Sequence, residues 1–172
     1  CNRNNRQITA RQIQTGEVSM LAGGVRIQGA DLQEIAKIRT WQELLFPLHG
    51  KVEREYTAEA AAQTVWNTEI MELLQSLHEE KGAFLFRIEY KGSLDERKKS
   101  EFVKKTASLL EEKSERMLIN SISDYEIEIR IVESKKGGYL PFLRLYTMED
   151  ERFAYRKESI AASIAPVNAA LI

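Results

Sequence analysis

The sequence predicts an α+β fold built from two small sub-domains, and three observations carry that prediction. Segments in which apolar residues alternate, as in strands, are interleaved with segments in which they recur every three or four positions, as in helices. From residue 84 onward these segments follow the order strand, helix, strand, strand. The hydrophobic and charged fractions, 43% and 30%, are those of a folded globular protein, and 172 residues suffice for a core.

The amino-terminal part shows little regularity before residue 22, so residues 1–21 are predicted to be a loose segment. A short strand is predicted over residues 25–29, where it ends on a glycine. Asp31 is positioned to cap a short helix that carries apolar residues on one face. These elements open the first sub-domain, which is predicted to span residues 22–83.

The rest of the first sub-domain is predicted to contain a strand and a long helix. Residues 41–48 form a short, mostly apolar run, and Pro47 should lie at the end of that strand or on a sheet edge. Thr57 is predicted to cap one amphipathic helix that continues to about Leu77. Ala83 is the expected boundary with the second sub-domain.

The second sub-domain, residues 84–148, has the clearest patterns. The opening strand is followed by Ser93 and Glu96, whose S-x-x-E spacing predicts a capping box at the start of a helix. Residues 125–132 alternate between apolar and polar residues and predict a strand. A Lys-Lys-Gly-Gly turn joins them to a returning strand over residues 139–147, forming a hairpin.

The sequence contains no complete active site. His49 and His78 are the only histidines, and Cys1 is remote from both, so no zinc-like ligand spacing is present. No Gly-rich phosphate loop is present either. Glu126 and Glu128 are predicted to share the solvent-facing side of a strand. We therefore expect no catalytic residue, no metal and no cofactor bound by this chain itself.

The distribution of basic residues leaves two interpretations open. Residues 84–160 contain sixteen basic and fifteen acidic residues, so a basic patch forms only if folding separates the signs. One interpretation is a mixed, solvated surface. The other is a phosphate-contacting face at one end of the sheet, formed by the hairpin turn and the residues after the last strand. Its candidate members are Lys91, Lys135, Lys136, Arg144, Arg152, Arg156 and Lys157.

The carboxy-terminal segment carries a recognisable motif. Residues 152–156 read R-F-A-Y-R, and residues 165–170 read A-P-V-N-A-A. This order resembles the R-x-x-Y-R … A-P-L-x-x-x-A-A pattern that follows the THUMP domain in THUMP-containing RNA methyltransferases. Residues 84–147 look like the strand–helix–strand–strand half of a THUMP domain, and residues 25–48 look like part of the ferredoxin-like domain before it.

The resemblance implies the RNA-binding front half of an S-adenosylmethionine-dependent RNA methyltransferase. Its target is expected to be a guanosine amino group in tRNA or rRNA, and Tyr155 joins the basic residues above as a candidate RNA contact. Two features depart from the family pattern: Ala154 stands where many members have glycine, and the opening strand and helix of the ferredoxin-like domain are not evident. The cofactor loop and the D-P-P-Y-like motif are absent from this sequence.

The two ends of the chain bear on these expectations. Residues 149–172 are predicted to be a linker and the start of a helix at Pro166, leading into a catalytic domain outside this sequence. The alternative is a non-enzymatic interaction domain, tethered as a lipoprotein through Cys1. The single cysteine and the short apolar runs favour a cytoplasmic protein without a membrane span.

Overall fold

The computed structural model describes residues 3–21, 23–48, 53–77 and 82–148. It divides into two compact units, which we call the amino-terminal unit (described residues up to Leu44) and the sheet unit (Leu45–Thr147). This division lies before the expected boundary at Ala83, because the helix that begins after residue 57 packs with a later helix and a later strand. The linker expected over residues 149–172 and the tether at Cys1 lie outside the described residues.

The amino-terminal unit is more ordered than its sequence predicts. The prediction of a loose segment over residues 1–21 is wrong, because this stretch forms a helix and a strand. The hydroxyl groups of Thr9 and Thr40 lie 2.6 Å apart and tie the first helix to the end of the unit. Asp31 caps the second helix as predicted, accepting a hydrogen bond of 2.9 Å from the Gln33 amide. The elements are α1 (Arg3–Gln12), β1 (Glu17–Met20), β2 (Val25–Gln28) and α2 (Leu32–Lys37), with β1 and β2 paired antiparallel.

The sheet unit contains one mixed sheet of five strands. The elements are β3 (Phe46–Pro47), α3 (Ala58–Val65), α4 (Thr68–Leu77), β4 (Phe84–Lys91), α5 (Glu96–Lys113), β5 (Leu118–Asn120), β6 (Ile127–Glu133) and β7 (Tyr139–Leu145). The strand order is β3-β7-β6-β4-β5, in which β4 runs parallel to β5 and β6 while β7 runs antiparallel to β3 and β6. The α+β class and the hairpin of β6 and β7 are therefore confirmed.

Helices α3 and α5 pack together and cover one face of this sheet. We call that side the core face; Ile127, Ile129 and Ile131 project into it from β6 and are fully buried. Helix α3 is rich in alanine, with Ala61 and Ala62 fully buried. Small side chains bring its backbone close to α5, so residues after 57 belong to the same core as the strands.

Two of the predicted elements in the first half of the sheet unit differ from the structure. The predicted strand over residues 41–48 is reduced to the two residues of β3, which lies at the sheet edge as Pro47 requires. The predicted single helix is divided at Trp66, which ends α3. Asn67 then begins α4, since its side-chain oxygen accepts a hydrogen bond of 3.2 Å from the Ile70 amide. Periodic spacing alone could not show this interruption.

The predicted capping box is wrong at its first residue. Asp95, rather than Ser93, caps α5 by accepting a hydrogen bond of 3.0 Å from the amide of Lys98. Ser93 instead donates to Glu133 on β6, which holds it outside the helix. A short strand, β5, also pairs with β4 where the sequence suggested no strand.

Candidate nucleic-acid interface

Of the candidate residues, Lys91 and Arg144 lie on the side of the sheet opposite α3 and α5, which we call the outer face. Because side chains alternate along a strand, Arg87 of β4, Glu128 of β6 and Arg144 of β7 project to this face in one row. Lys91 and Val132 form another row four residues further along β4 and β6. The two rows mark the two ends of the outer face.

One end of the sheet is formed by the hairpin turn, residues 134–138. The Ser134 amide donates to the Gly138 carbonyl over 2.9 Å, and the Tyr56 hydroxyl donates to the Ser134 carbonyl over 2.6 Å. Gly138 has a φ of +71°, and a Cβ there would lie 1.9 Å from the carbonyl oxygen of Glu53. The turn is therefore held against the segment that precedes α3, and it requires glycine at this position.

Glu133 fastens the same turn to the loop before α5. Its carboxylate accepts hydrogen bonds from the Ser93 amide at 2.7 Å, from the Ser93 hydroxyl and from the Tyr90 hydroxyl at 3.0 Å. The hydrogen bonds from Ser93 lower the pKa of Glu133 below its usual value. Gly92 leaves room for this arrangement, since a Cβ there would lie 2.1 Å from the Tyr90 hydroxyl.

Three of the predicted lysines lie at this end of the sheet. Lys135 and Lys136 are exposed on the turn itself. Lys91, at the end of β4, has a side chain that is 57% exposed and pairs with Glu89 at 2.5 Å. Because β4 and β6 are parallel, their carboxyl ends lie at the same edge, which brings Lys91 towards the turn. We call Lys91, Lys135 and Lys136 the tip lysines.

Arg144 lies apart from the tip lysines, at the other end of the sheet. Its Cα partner on β6 is Glu128, five residues before the strand ends at Glu133, or about 16 Å along the strand. The structure therefore splits the predicted face in two. The remaining candidates, Arg152, Tyr155, Arg156 and Lys157, lie outside the described residues, so their roles stay predictions.

Glu128 organises the end of the sheet where Arg144 lies. The prediction that it faces solvent is wrong, because its side chain is only 1% exposed. Arg87 donates to one of its oxygens at 2.7 Å, Arg130 donates to the other at 2.7 Å, and the Tyr146 hydroxyl donates over 3.1 Å. Burial raises the pKa of Glu128, but the hydrogen bonds from Arg87 and Arg130 outweigh it, so its pKa lies below the usual 4.5.

Aromatic rings complete this group of charges. The guanidinium carbon of Arg87 lies 4.0 Å from the ring centroid of Tyr125, and that of Arg144 lies 4.6 Å from the ring centroid of Tyr146. The two rings meet edge to face, with centroids 5.0 Å apart. Only the network of hydrogen bonds reveals this group, which sequence reasoning missed apart from Arg144. We name it the outer cluster: Arg87, Tyr125, Glu128, Arg130, Arg144 and Tyr146.

Among the described residues, no group of three or more histidine, cysteine, aspartate or glutamate side chains is arranged to hold a metal ion. No helix in the same part of the chain combines the length and the apolar character needed to cross a membrane.

Solved structures reveal what the fold resembles. No protein-family model matches the chain, and no curated protein does. TrmN from Thermus thermophilus aligns over 98% of this chain with a TM-score of 0.58 and 17% sequence identity. The fold is THUMP-like. This confirms the fold that the resemblance implied. At 17% sequence identity, the likeness shows the fold alone.

Two further structures align with most of the chain. PH1313 from Pyrococcus horikoshii Ot3 aligns over 84% of it at 14% identity, with a TM-score of 0.44. A 4-thiouridine synthetase, crystallised with RNA and bound ATP, aligns over 83% at 15% identity, with a TM-score of 0.48. This chain spans 52% of PH1313, 36% of the synthetase and 49% of TrmN. All three are thus considerably longer than the THUMP-like region described here.

Proposed function

We propose that this chain is the RNA-binding part of an RNA-modifying enzyme. The observation that carries the proposal is the likeness to TrmN, which covers nearly all of this chain and 49% of that one. The motif over residues 152–170 supports a more specific form of it, an S-adenosylmethionine-dependent methyltransferase acting on a guanosine amino group of tRNA or rRNA. In that form, cofactor and catalytic residues belong to a further domain, and the enzyme works in the cytoplasm.

The tip lysines supply a physical basis for RNA binding. Lys135 and Lys136 are exposed on a turn whose backbone is fixed by hydrogen bonds to Tyr56 and to its own residues. A fixed turn presents its cations to phosphates without first having to be ordered, which favours binding. The nearby carboxylate of Glu133 is engaged by Ser93 and Tyr90, which disperses its charge into hydrogen bonds.

The proposal is tested by charge reversal at the turn. The 172-residue chain should bind a tRNA transcript with an affinity that falls steeply between 50 and 200 mM salt. The double variant Lys135→Glu/Lys136→Glu should weaken binding by about tenfold or more and flatten the logarithmic salt slope by about 1 to 2 units. The readout is fluorescence anisotropy over a salt series.

A matched control uses lysines of α5. Lys104 and Lys105 are both exposed, and the ion pair between Lys105 and Glu59 also lies at the surface. Their double reversal to glutamate changes the net charge by the same amount, and it should lower RNA affinity much less than reversal at the turn. Equal losses would mean that only net charge matters, and absence of RNA binding by the unaltered chain at 50 mM salt would refute the proposal.

A further inference from the structure

Among the described strands, the sheet ends on β3 at one side and on β5 at the other. A strand at a sheet edge normally presents unpaired amide groups, with which a strand of another molecule can pair. On β3, Phe46 and Leu48 face β7, and the Leu48 amide donates to the Pro141 carbonyl over 3.0 Å. Pro47, between them, faces away from β7, and proline has no amide hydrogen. At this position the β3 edge therefore offers no donor to a further strand.

The β5 edge reaches the same result through side chains. The Ser121 amide donates to β4 over 2.8 Å. Because successive amides of a strand point in opposite directions, those of Leu118 and Asn120 point away from β4. The Leu118 amide donates to the Ser114 hydroxyl oxygen over 3.0 Å, and the Asn120 amide donates to a carboxylate oxygen of Glu111 over 2.8 Å. Side chains at the end of α5 thus occupy both of these outward amides.

The two side chains that do this differ in their surroundings. Ser114 is fully buried, so its hydrogen bond belongs to the core. Asn120 is exposed, and its hydrogen bond with Glu111 lies at the surface. Glu111 lies in the last turn of α5, where the partial negative charge of a helix end disfavours an acidic residue. The gain that offsets this local cost is the contact with the strand.

The segment along this edge has the composition of segments that pair with copies of themselves. Residues 117–123 read M-L-I-N-S-I-S, without charge, proline or glycine. Ile122, just beyond β5, is 84% exposed. Uncharged segments of about seven residues form intermolecular sheets when their amides are open to a partner. Identical edges of two copies can pair antiparallel about a symmetry axis, so this edge suits a second copy of the chain.

We propose that Glu111 prevents β5 from pairing with β5 of a second copy of this chain. Its carboxylate occupies the Asn120 amide, which a partner strand would need as a donor. When this acceptor is removed, two copies join through β5 into one continuous sheet. Pro47 excludes the same kind of contact at the β3 edge by lacking the donor. The inference goes beyond the proposed function and does not depend on RNA binding.

The first test measures self-association of the 172-residue chain by sedimentation velocity, from about 5 to about 200 μM. Glu111→Ala should raise the association constant by about tenfold or more over that of the unaltered chain. Glu111→Gln keeps an oxygen that can accept from Asn120, so its association constant should stay within about twofold. Glu112→Ala is the matched control, because it removes the same charge from the exposed neighbouring residue and should change nothing.

The second test observes the Asn120 amide directly by hydrogen exchange in NMR spectra. In dilute Glu111→Ala, this amide should exchange about tenfold faster than in the unaltered chain, because its acceptor is missing. At high concentration the amide should regain protection as β5 pairs with a second copy. This measurement does not require the dimer to be stable enough to sediment.

The third test transfers the arrangement of the β3 edge to β5. Asn120→Pro removes the outward amide hydrogen, so the double variant Glu111→Ala/Asn120→Pro should associate no more than the unaltered chain. The inference is wrong if Glu111→Ala associates no more than Glu112→Ala, or if its Asn120 amide exchanges no faster. Equal association of Glu111→Gln and Glu111→Ala would assign the effect to charge alone and overturn the role of the hydrogen bond. Association that persists in the double variant would place the contact away from this amide, which also overturns the inference.

Discussion

The two ends of the sheet unit each hold a glutamate side chain, and the partners of the two carboxylates differ. At the turn, Glu133 accepts hydrogen bonds from neutral groups of Ser93 and Tyr90, and the tip lysines nearby stay exposed. At the other end, Glu128 is buried beneath Arg87 and Arg130. The first arrangement fixes the backbone and leaves cations at the surface, whereas the second fixes the cations themselves. A sheet can therefore present positive charge either through a rigid turn or through a buried anion.

The largest expected effect comes from removing the buried anion. Glu128→Ala removes the buried carboxylate to which Arg130, whose side chain is 11% exposed, donates at 2.7 Å. We expect a loss of about 3 kcal/mol in the free energy of unfolding, measured by urea denaturation. Glu101→Ala, at an exposed ion pair on α5, should cost less than about 0.5 kcal/mol. A loss at Glu128 as small as the control would show that the cluster does not need its anion.

The turn is broken in a different way, through its backbone. Gly138→Ala places a Cβ against the Glu53 carbonyl and forces alanine to a positive φ, so we expect a loss of about 2 kcal/mol. Gly82→Ala is the matched control, because no atom lies within 4 Å of a Cβ there. Unchanged stability of Gly138→Ala would mean that the turn is not fastened to the segment before α3.

A smaller effect is expected where α5 begins, beside the turn. Asp95→Ala removes the side chain that accepts from the Lys98 amide, and we expect the melting temperature to fall by about 3 °C. Glu96→Ala replaces the neighbouring acid, an exposed side chain whose carboxylate lies 3.8 Å from the Lys99 ammonium, and should change the melting temperature by less than about 1 °C. A larger fall in melting temperature for Glu96→Ala than for Asp95→Ala would support the capping box predicted from the sequence.

The smallest effect is expected on the pH dependence of stability. Because the pKa of Glu128 is lower in the folded protein than its usual 4.5, its charge stabilises the fold above that value. The contribution is lost as the pH falls from about 5 through the folded-state pKa. The melting temperature of Glu128→Gln should therefore fall less steeply than that of the unaltered chain between about pH 5 and pH 3. Thermal melting at a series of pH values measures this difference. Parallel curves would contradict the charged state assigned to Glu128.

Prediction from the sequence succeeded where a local pattern suffices. Alternation in residues 125–132 identified the strand that the structure has as β6, and the turn before Tyr139 identified the hairpin. It was wrong where a long-range contact competes with a local one. Ser93 has the spacing of a helix cap, yet Glu133, forty residues later, holds it elsewhere. Residues 1–21 showed no clear period, and α1 and β1 still form.

The candidate site shows the same difference between local patterns and long-range contacts. The tip lysines could be predicted, because a turn between two strands exposes whatever residues it carries. Glu128 could not, because an acid that alternates with apolar residues normally faces water. Its burial depends on Arg87 from β4 and Tyr146 beyond β7, which only the pairing of the strands brings together.

By itself, the sequence determined the α+β class, the hairpin and the exposure of its lysines, since these follow from periodicity and turn chemistry over a few neighbouring residues. The tertiary structure alone decided that Arg144 lies away from those lysines and that Glu128 is buried among arginines. Strand order and register set both outcomes, because they choose which distant side chains become neighbours, and one strand's pattern contains no information about its partner's.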